Sequence, residues 1–138
     1  MRRFAVAVLV LLGAAAVLAR TRLVAVTVDG DSMAPTLHPG DRVLVARVPL
    51  RRVRARQLVV VAQPFDVPPA NSPPWLIKRA VALPGDVVPA EVPELAGARV
   101  PADRFVILGD NTARSFDSRR VGYFHADALL GVVVSRFR

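Results

Sequence analysis

The sequence predicts a mainly β domain behind a single N-terminal apolar helix. Three observations carry this reading. An apolar run without interruption lies near the N-terminus. Twelve prolines and eight glycines are spread through 138 residues, which disfavours a helical bundle. Short β-branched runs then recur between Pro, Gly and charged residues. A chain of this length holds one small domain with a modest core. The expected division is residues 1–22 as a membrane anchor with flanking arginines and residues 23–138 as a β-rich domain.

The first element begins at Met1-Arg2-Arg3, runs apolar from Phe4 to Ala19 and closes on Arg20 and Arg22. That run falls just short of the ~17–25 apolar residues of a spanning helix. Leu23 to Val28 extends it only by crossing two arginines, whose side chains can snorkel. Three readings are open: a retained anchor, a cleavable signal peptide with small or aliphatic residues at Val17-Leu18-Ala19, and a core helix, against which the flanking charges count. Arg2 and Arg3 place the N-terminus in the cytoplasm, with Arg20 and Arg22 weakening the asymmetry.

From Leu23 the pattern turns β-like. Val24, Val26 and Val28 alternate with smaller or polar residues, as in a half-buried strand. Val43-Leu44-Val45 and Leu58-Val59-Val60-Val61 are further strands, with Arg47 to Arg56 between them as an exposed connection or edge strand. Gln63 to Pro74, with five prolines, is a loop. Ile77 to Leu83 is a strand ended by Pro84-Gly85-Asp86, and residues 89–101 read as hairpins. Phe105 to Leu108 and Leu129 to Val134 complete the set, with a turn near Met33–Leu37 and no further helix.

Composition narrows the chemistry. The chain has no cysteine, which excludes thiol catalysis, disulfides and thiolate metal sites. Its two histidines, His38 and His125, are scattered, so no metal site is expected. The formal charge is +8, carried by arginine everywhere except at Lys78. Compositional bias, nucleic-acid binding and attraction to anionic lipid all fit an arginine excess. The lone lysine is more telling. Unlike arginine, lysine can lose its proton near neutral pH when desolvated, although chance retention fits equally well until its surroundings are read.

Three segments carry chemistry. Gly30-Asp31-Ser32-Met33-Ala34-Pro35-Thr36-Leu37 follows a strand. A serine on a tight bend there has the exposure and the nearby backbone N–H that a nucleophile needs, though a serine after Gly-Asp can also simply terminate a strand. Leu76 to Val81 holds Lys78 in an apolar strand, where the side chain is either buried and a base or a snorkelling edge residue. Gly109 to Arg120 is dense in small polar and charged groups just after a buried strand, as a surface loop or as support for the base.

In this order and spacing the three segments resemble the boxes of the signal peptidase I family of Ser/Lys-dyad membrane-bound serine proteases. The serine followed by methionine and Pro-Thr is similar to its nucleophile box, and Pro39-Gly40-Asp41-Arg42-Val43 to the turn that follows. Lys78-Arg79 with Leu83-Pro84-Gly85-Asp86 is similar to the lysine box. Gly109-Asp110-Asn111 through Ser115 to Asp117-Ser118-Arg119 is similar to the closing box. The resemblance covers about residues 24 to 125. It implies a signal-peptidase-like antiparallel β fold, Ser32 as nucleophile and neutral Lys78 as general base. It also implies Ser115 as the hydroxyl that orients the lysine, and Arg79 with Asp110 and Asp117 with Arg119 as bracing ion pairs. The backbone N–H of Ser32 would be one oxyanion donor. Some members add a hydroxyl two residues before the nucleophile, where this chain has Gly30. Thr112 stands where the family often has arginine, and only about thirty residues separate Lys78 from Gly109, so a large inserted cap is absent.

By this resemblance the chain is a single-pass plasma-membrane endopeptidase without cofactors, its catalytic domain extracytoplasmic. Its partners are secretory precursors with small residues at −1 and −3, and the lipid bilayer, with no nucleic acid. Val24, Val26 and Val28 are candidate lining residues, and apolar side chains around Met33 are expected at the membrane surface. The alternatives are a self-cleaving repressor-type Ser/Lys protease, a Ser/His/Asp enzyme using His38 or His125, an inactive scaffold, and a basic nucleic-acid-binding β domain. The last is disfavoured because no aromatic residue interleaves Arg47–Arg56.

Overall fold

The computed structural model describes residues 1–64 and 73–137. Most of the expected Pro-rich loop, residues 65–72, lies outside the described residues. The N-terminal run forms helix α1 (Arg2–Arg22), which carries the apolar segment through both arginines of its last turn. At 1.5 Å per residue its 21 residues span about 30 Å, the thickness of a bilayer's hydrocarbon core. Among the described residues it is the one helix long and apolar enough to cross a membrane, and none of its apolar window is buried against the rest of the chain.

Strand β1 (Leu23–Thr27) follows without a linker. It is joined by β2 (Arg42–Ala46), β3 (Leu58–Ala62), β4 (Trp75–Ala82), β5 (Arg104–Leu108), the short β6 (Phe124–His125) and β7 (Leu129–Phe137). The seven strands form one sheet in the order β1-β2-β7-β3-β4-β5-β6, every neighbouring pair antiparallel. Each strand is reversed relative to its neighbour, so β1 and β4, four steps apart through β2, β7 and β3, run in the same direction.

The sheet buries apolar residues on both faces. On β3, Val59 and Val61 join Ala80, Phe105 and Ile107 in one cluster, while Val60 joins Val43, Val45 and Ile77 in another. This two-sided burial explains why β3 reads as a continuous apolar run rather than an alternation. In β1, by contrast, Val24 and Val26 are half-buried and the residues between them are exposed, as the alternation predicts.

Two expectations change and a third is narrowed. Of the two alternatives for Arg47–Arg56, the exposed connection holds and the edge strand does not: it carries a short 3₁₀ turn, Leu50–Arg52, with Leu50 and Val53 buried as anchors beneath exposed arginines. Residues 89–101 are not regular hairpins. Val87 bridges Arg99, and the turns between them bury Val88, Val92 and Val100 in a third cluster. A second helix, α2 (Ser118–Val121), starts at Asp117, whose side chain caps it by accepting from Arg119 N–H.

Candidate active site

The turn after β1 is fixed by its apolar residues. Met33 and Leu37 lie one helical turn apart, with Leu37 N–H bonded to the Met33 carbonyl at 2.9 Å, and both are buried against Val43, Val45 and Val60. Met33 is therefore a core residue and not a membrane-surface one, which corrects the expectation from sequence. With Met33 and Leu37 pointing inward, Ser32 is left at the lip of the turn.

Lys78 comes from the middle of β4 and is almost wholly buried. Its Nζ lies 2.6 Å from Ser32 Oγ, a hydrogen bond bridging residues 46 apart in sequence. Burial strips solvent from the ammonium and lowers the Lys78 pKa to about 8. The Asp117 carboxylate works against that shift and the Arg119 guanidinium works with it. The dyad therefore sits where the amine is available without strongly alkaline conditions.

Two carboxylates organise the surroundings. Asp117, with no exposed side-chain surface, accepts from Gly109 N–H at 2.8 Å and from Ser115 Oγ at 2.6 Å. It also accepts from Arg119 through its backbone N–H, Nε and a terminal nitrogen, at 3.1, 3.0 and 2.6 Å. Burial pushes the Asp117 pKa up, but these hydrogen bonds together overcome it and hold the carboxyl below its ordinary range. Asp110 is held low chiefly by Arg79, which donates from Nε at 2.8 Å and from a terminal nitrogen at 2.6 Å. Thr36 Oγ1 adds a further bond to Asp110 at 2.5 Å. Ser115 spends its proton on Asp117, so toward Lys78 its oxygen can act only as an acceptor.

Several contributors were not singled out as site residues from sequence. Thr36 ties the turn that holds Ser32 to Asp110. Asn111 holds that turn twice, through its N–H on the Ser32 carbonyl at 2.9 Å and its side-chain amide on the Asp31 carbonyl at 3.1 Å. Gly109 has no room for a side chain, because a Cβ there would meet Ser115 Oγ at 2.1 Å and the Ser32 carbonyl at 2.7 Å. All three lie inside the boxes quoted above, which was the available signal. Neither histidine belongs to this group: His38 is exposed in a turn, and His125 lies beside Arg104 on β6.

Two clefts meet at the dyad. The first, about 280 Å³, is lined by Val24, Val26, Val28, Trp75 and Ile77 together with Ser32 and Lys78. The second, about 420 Å³, shares Ser32 and Lys78 and continues past Asp31, Gln63, Arg114 and Phe116. Between Trp75 and Lys78, β4 pairs with β3 on one side only, since β5 joins from Arg79 onward. β1 pairs only with β2. Among the described residues, both edges that border the first cleft thus lack a strand partner.

Comparison with known proteins bears on this geometry. The family model described as signal peptidase, peptidase S26 matches residues 1–95 and 89–138. The chain belongs to that family. It is 32% identical over 134 residues to a probable signal peptidase I-2 of Synechocystis, covering 80% of this chain and 61% of the relative. It is 29% identical over 138 residues to signal peptidase I S of Bacillus subtilis, covering 75% and 71%. Mitochondrial inner membrane protease subunit 2 of Mus musculus is 35% identical over 100 residues, covering 69% and 55%. The chain thus spans about three fifths of the length of the first of these S26 relatives.

Proposed function

We propose that this S26 chain is a membrane-anchored serine endopeptidase that removes signal peptides from exported precursors, with Ser32 as nucleophile and Lys78 as general base. The observation that carries the reading is the chain's single lysine, buried and 2.6 Å from Ser32 Oγ. With a pKa of about 8, roughly a tenth of Lys78 is neutral at pH 7. The neutral amine accepts the Ser32 proton as Oγ attacks the scissile carbonyl. The ammonium so formed gives that proton to the leaving amine, and the C–N bond breaks to leave an acyl-enzyme. Water then attacks the ester, Lys78 again taking and returning a proton, and Ser32 is regenerated with a free carboxylate on the departing signal peptide.

Ser32 N–H has no acceptor among the described residues, which leaves it available to the developing oxyanion. Gly30 has no side chain to donate alongside it. The unpaired edges of β1 and β4 suit an extended precursor segment added as a strand. Both strands run toward the dyad and β1 begins where α1 ends, so the first cleft would take the membrane-proximal residues before the cut. Residues −1 and −3 of that segment share a face and would meet the apolar lining, and the second cleft would take residues beyond the cut. The relatives leave both a broad signal peptidase and a narrow processing enzyme consistent with this reading.

α1 would be the retained anchor, with the N-terminus cytoplasmic and residues 23–138 extracytoplasmic at the plasma membrane. The repressor-type, scaffold and nucleic-acid readings have no observation in their favour beyond those already given.

The test is incubation of the detergent-solubilised chain and its Ser32→Ala variant with a precursor bearing Ala-x-Ala before the cut, products being mapped by mass spectrometry. Cleavage after the −1 alanine by the unaltered chain alone is expected. Equal cleavage by both would overturn the nucleophile assignment.

A further inference from the structure

A trans peptide unit holds the carbonyl of one residue and the N–H of the next in a single plane. The plane that carries Ser32 N–H is therefore the one that carries the Asp31 carbonyl, and that carbonyl accepts from Asn111 Nδ2 at 3.1 Å. The following plane carries the Ser32 carbonyl, which accepts from Asn111 N–H at 2.9 Å. One residue of the closing segment thus grips the peptide units on both sides of the nucleophile.

We propose that Asn111 is a positioning residue that sets the orientation of Ser32 N–H as oxyanion donor. This rests on the function proposed above. A bond to the Asp31 carbonyl also polarises its peptide unit, which makes the N–H at the other end a stronger donor. The Asp31 carbonyl also accepts from Ala34 N–H at 3.1 Å within the turn, and Asn111 is its one side-chain donor among the described residues. Asn111 is itself placed by a close packing that only glycine permits at position 109, where the Ser32 carbonyl would lie 2.7 Å from a Cβ. The bracket acts on charge that develops during reaction rather than on substrate binding. Its loss therefore belongs in kcat.

The test compares full-length wild type, Asn111→Ala and Asn111→Asp in detergent, the last being isosteric but without an amide donor. Steady-state kinetics on the Ala-x-Ala precursor give kcat and KM. A matching peptide aldehyde, whose carbonyl adds Ser32 Oγ–H to form a hemiacetal, reports tetrahedral-adduct affinity. Both variants are expected to lower kcat on the order of 10–100-fold, a partial loss of one oxyanion donor. Aldehyde affinity should fall in parallel, while KM and the Lys78-dependent acid limb stay in place and thermal stability is nearly unchanged.

Unchanged kcat in both variants overturns the inference and leaves the proposed function standing. So does a loss of activity that simply follows a loss of thermal stability. A wild type that cleaves nothing counts against the proposed function instead. The bracket is then judged by the Ser32 amide resonance, which should be single and sharp in wild type and shifted or broadened in Asn111→Ala. An unmoved resonance overturns it.

Discussion

Two carboxylate–guanidinium pairs flank the dyad, built from the same chemistry at different depths. Asp117–Arg119 has a carboxylate with no exposed surface, whereas Asp110–Arg79 keeps 19% and 29% of its side chains exposed. The buried carboxylate is bonded by Gly109, Ser115 and three nitrogens of Arg119, and it faces Lys78 closely enough to oppose the lowering of its pKa. The shallower one has Arg79 and Thr36 and joins the Ser32 turn to β4. Depth decides what each pair can do. The buried pair shapes the electrostatics around Lys78, and the shallow pair holds two segments in register.

The two pairs should differ most at Asp117. Asp117→Asn leaves Arg119 without its counter-charge, and removing one partner of a buried pair costs about 3–5 kcal/mol. Denaturant unfolding should show that loss. In any folded fraction the acid limb of kcat/KM should move to lower pH, because the group that raises the Lys78 pKa has gone. Lys78→Met tests the other side of the same contact. Folded Lys78, near 8, lies below its ordinary 10.5, so its protonated form destabilises the fold; that penalty is complete below pH 8 and fades as pH rises toward 10.5. Lys78→Met should therefore abolish cleavage yet stabilise the fold at pH 7 by on the order of 3 kcal/mol. A variant no more stable than wild type would mean that burial of the lysine carries little cost.

Smaller effects are expected at the shallow pair. Asp110→Asn should cost about 1–2 kcal/mol, since the pair is part-hydrated and an amide oxygen still accepts from Arg79. Thr36→Val removes one hydrogen bond to a charged group and should cost about 1 kcal/mol or slightly more. Neither should move the acid limb. If Asp110→Asn shifted it as far as Asp117→Asn does, the division by depth would fail.

What sequence could show follows from range of interaction. Ser32, Lys78, Ser115 and the four bracing residues sit in short motifs whose order was readable. β1 and β3 were legible because their burial patterns, one-sided and two-sided, are local properties of the chain. The arginines of Arg47–Arg56 mark an exposed connection but hide its anchors, since Leu50 and Val53 are buried from within the run and the composition describes only its outer surface. α2 is a single capped turn and β6 two residues, both too short for periodicity to register. The inward direction of Met33 is not legible, because an isolated methionine in a turn carries no direction; the i, i+4 pairing with Leu37 and the valines of β2 and β3 supply it. Thr36 and Asn111 act across 74 and 80 residues, and contacts of that separation leave no spacing signal.

The proposed mechanism depends most on Lys78 serving as base for Ser32. The most direct measurement is kcat/KM for precursor cleavage across pH 5 to 10 in detergent, at constant ionic strength. Because the base must be neutral, the rate should rise with pH, about tenfold per unit at the acid end, and level off near pH 8. A limb centred near 6.5, the ordinary range of histidine, or a rate independent of pH would contradict it.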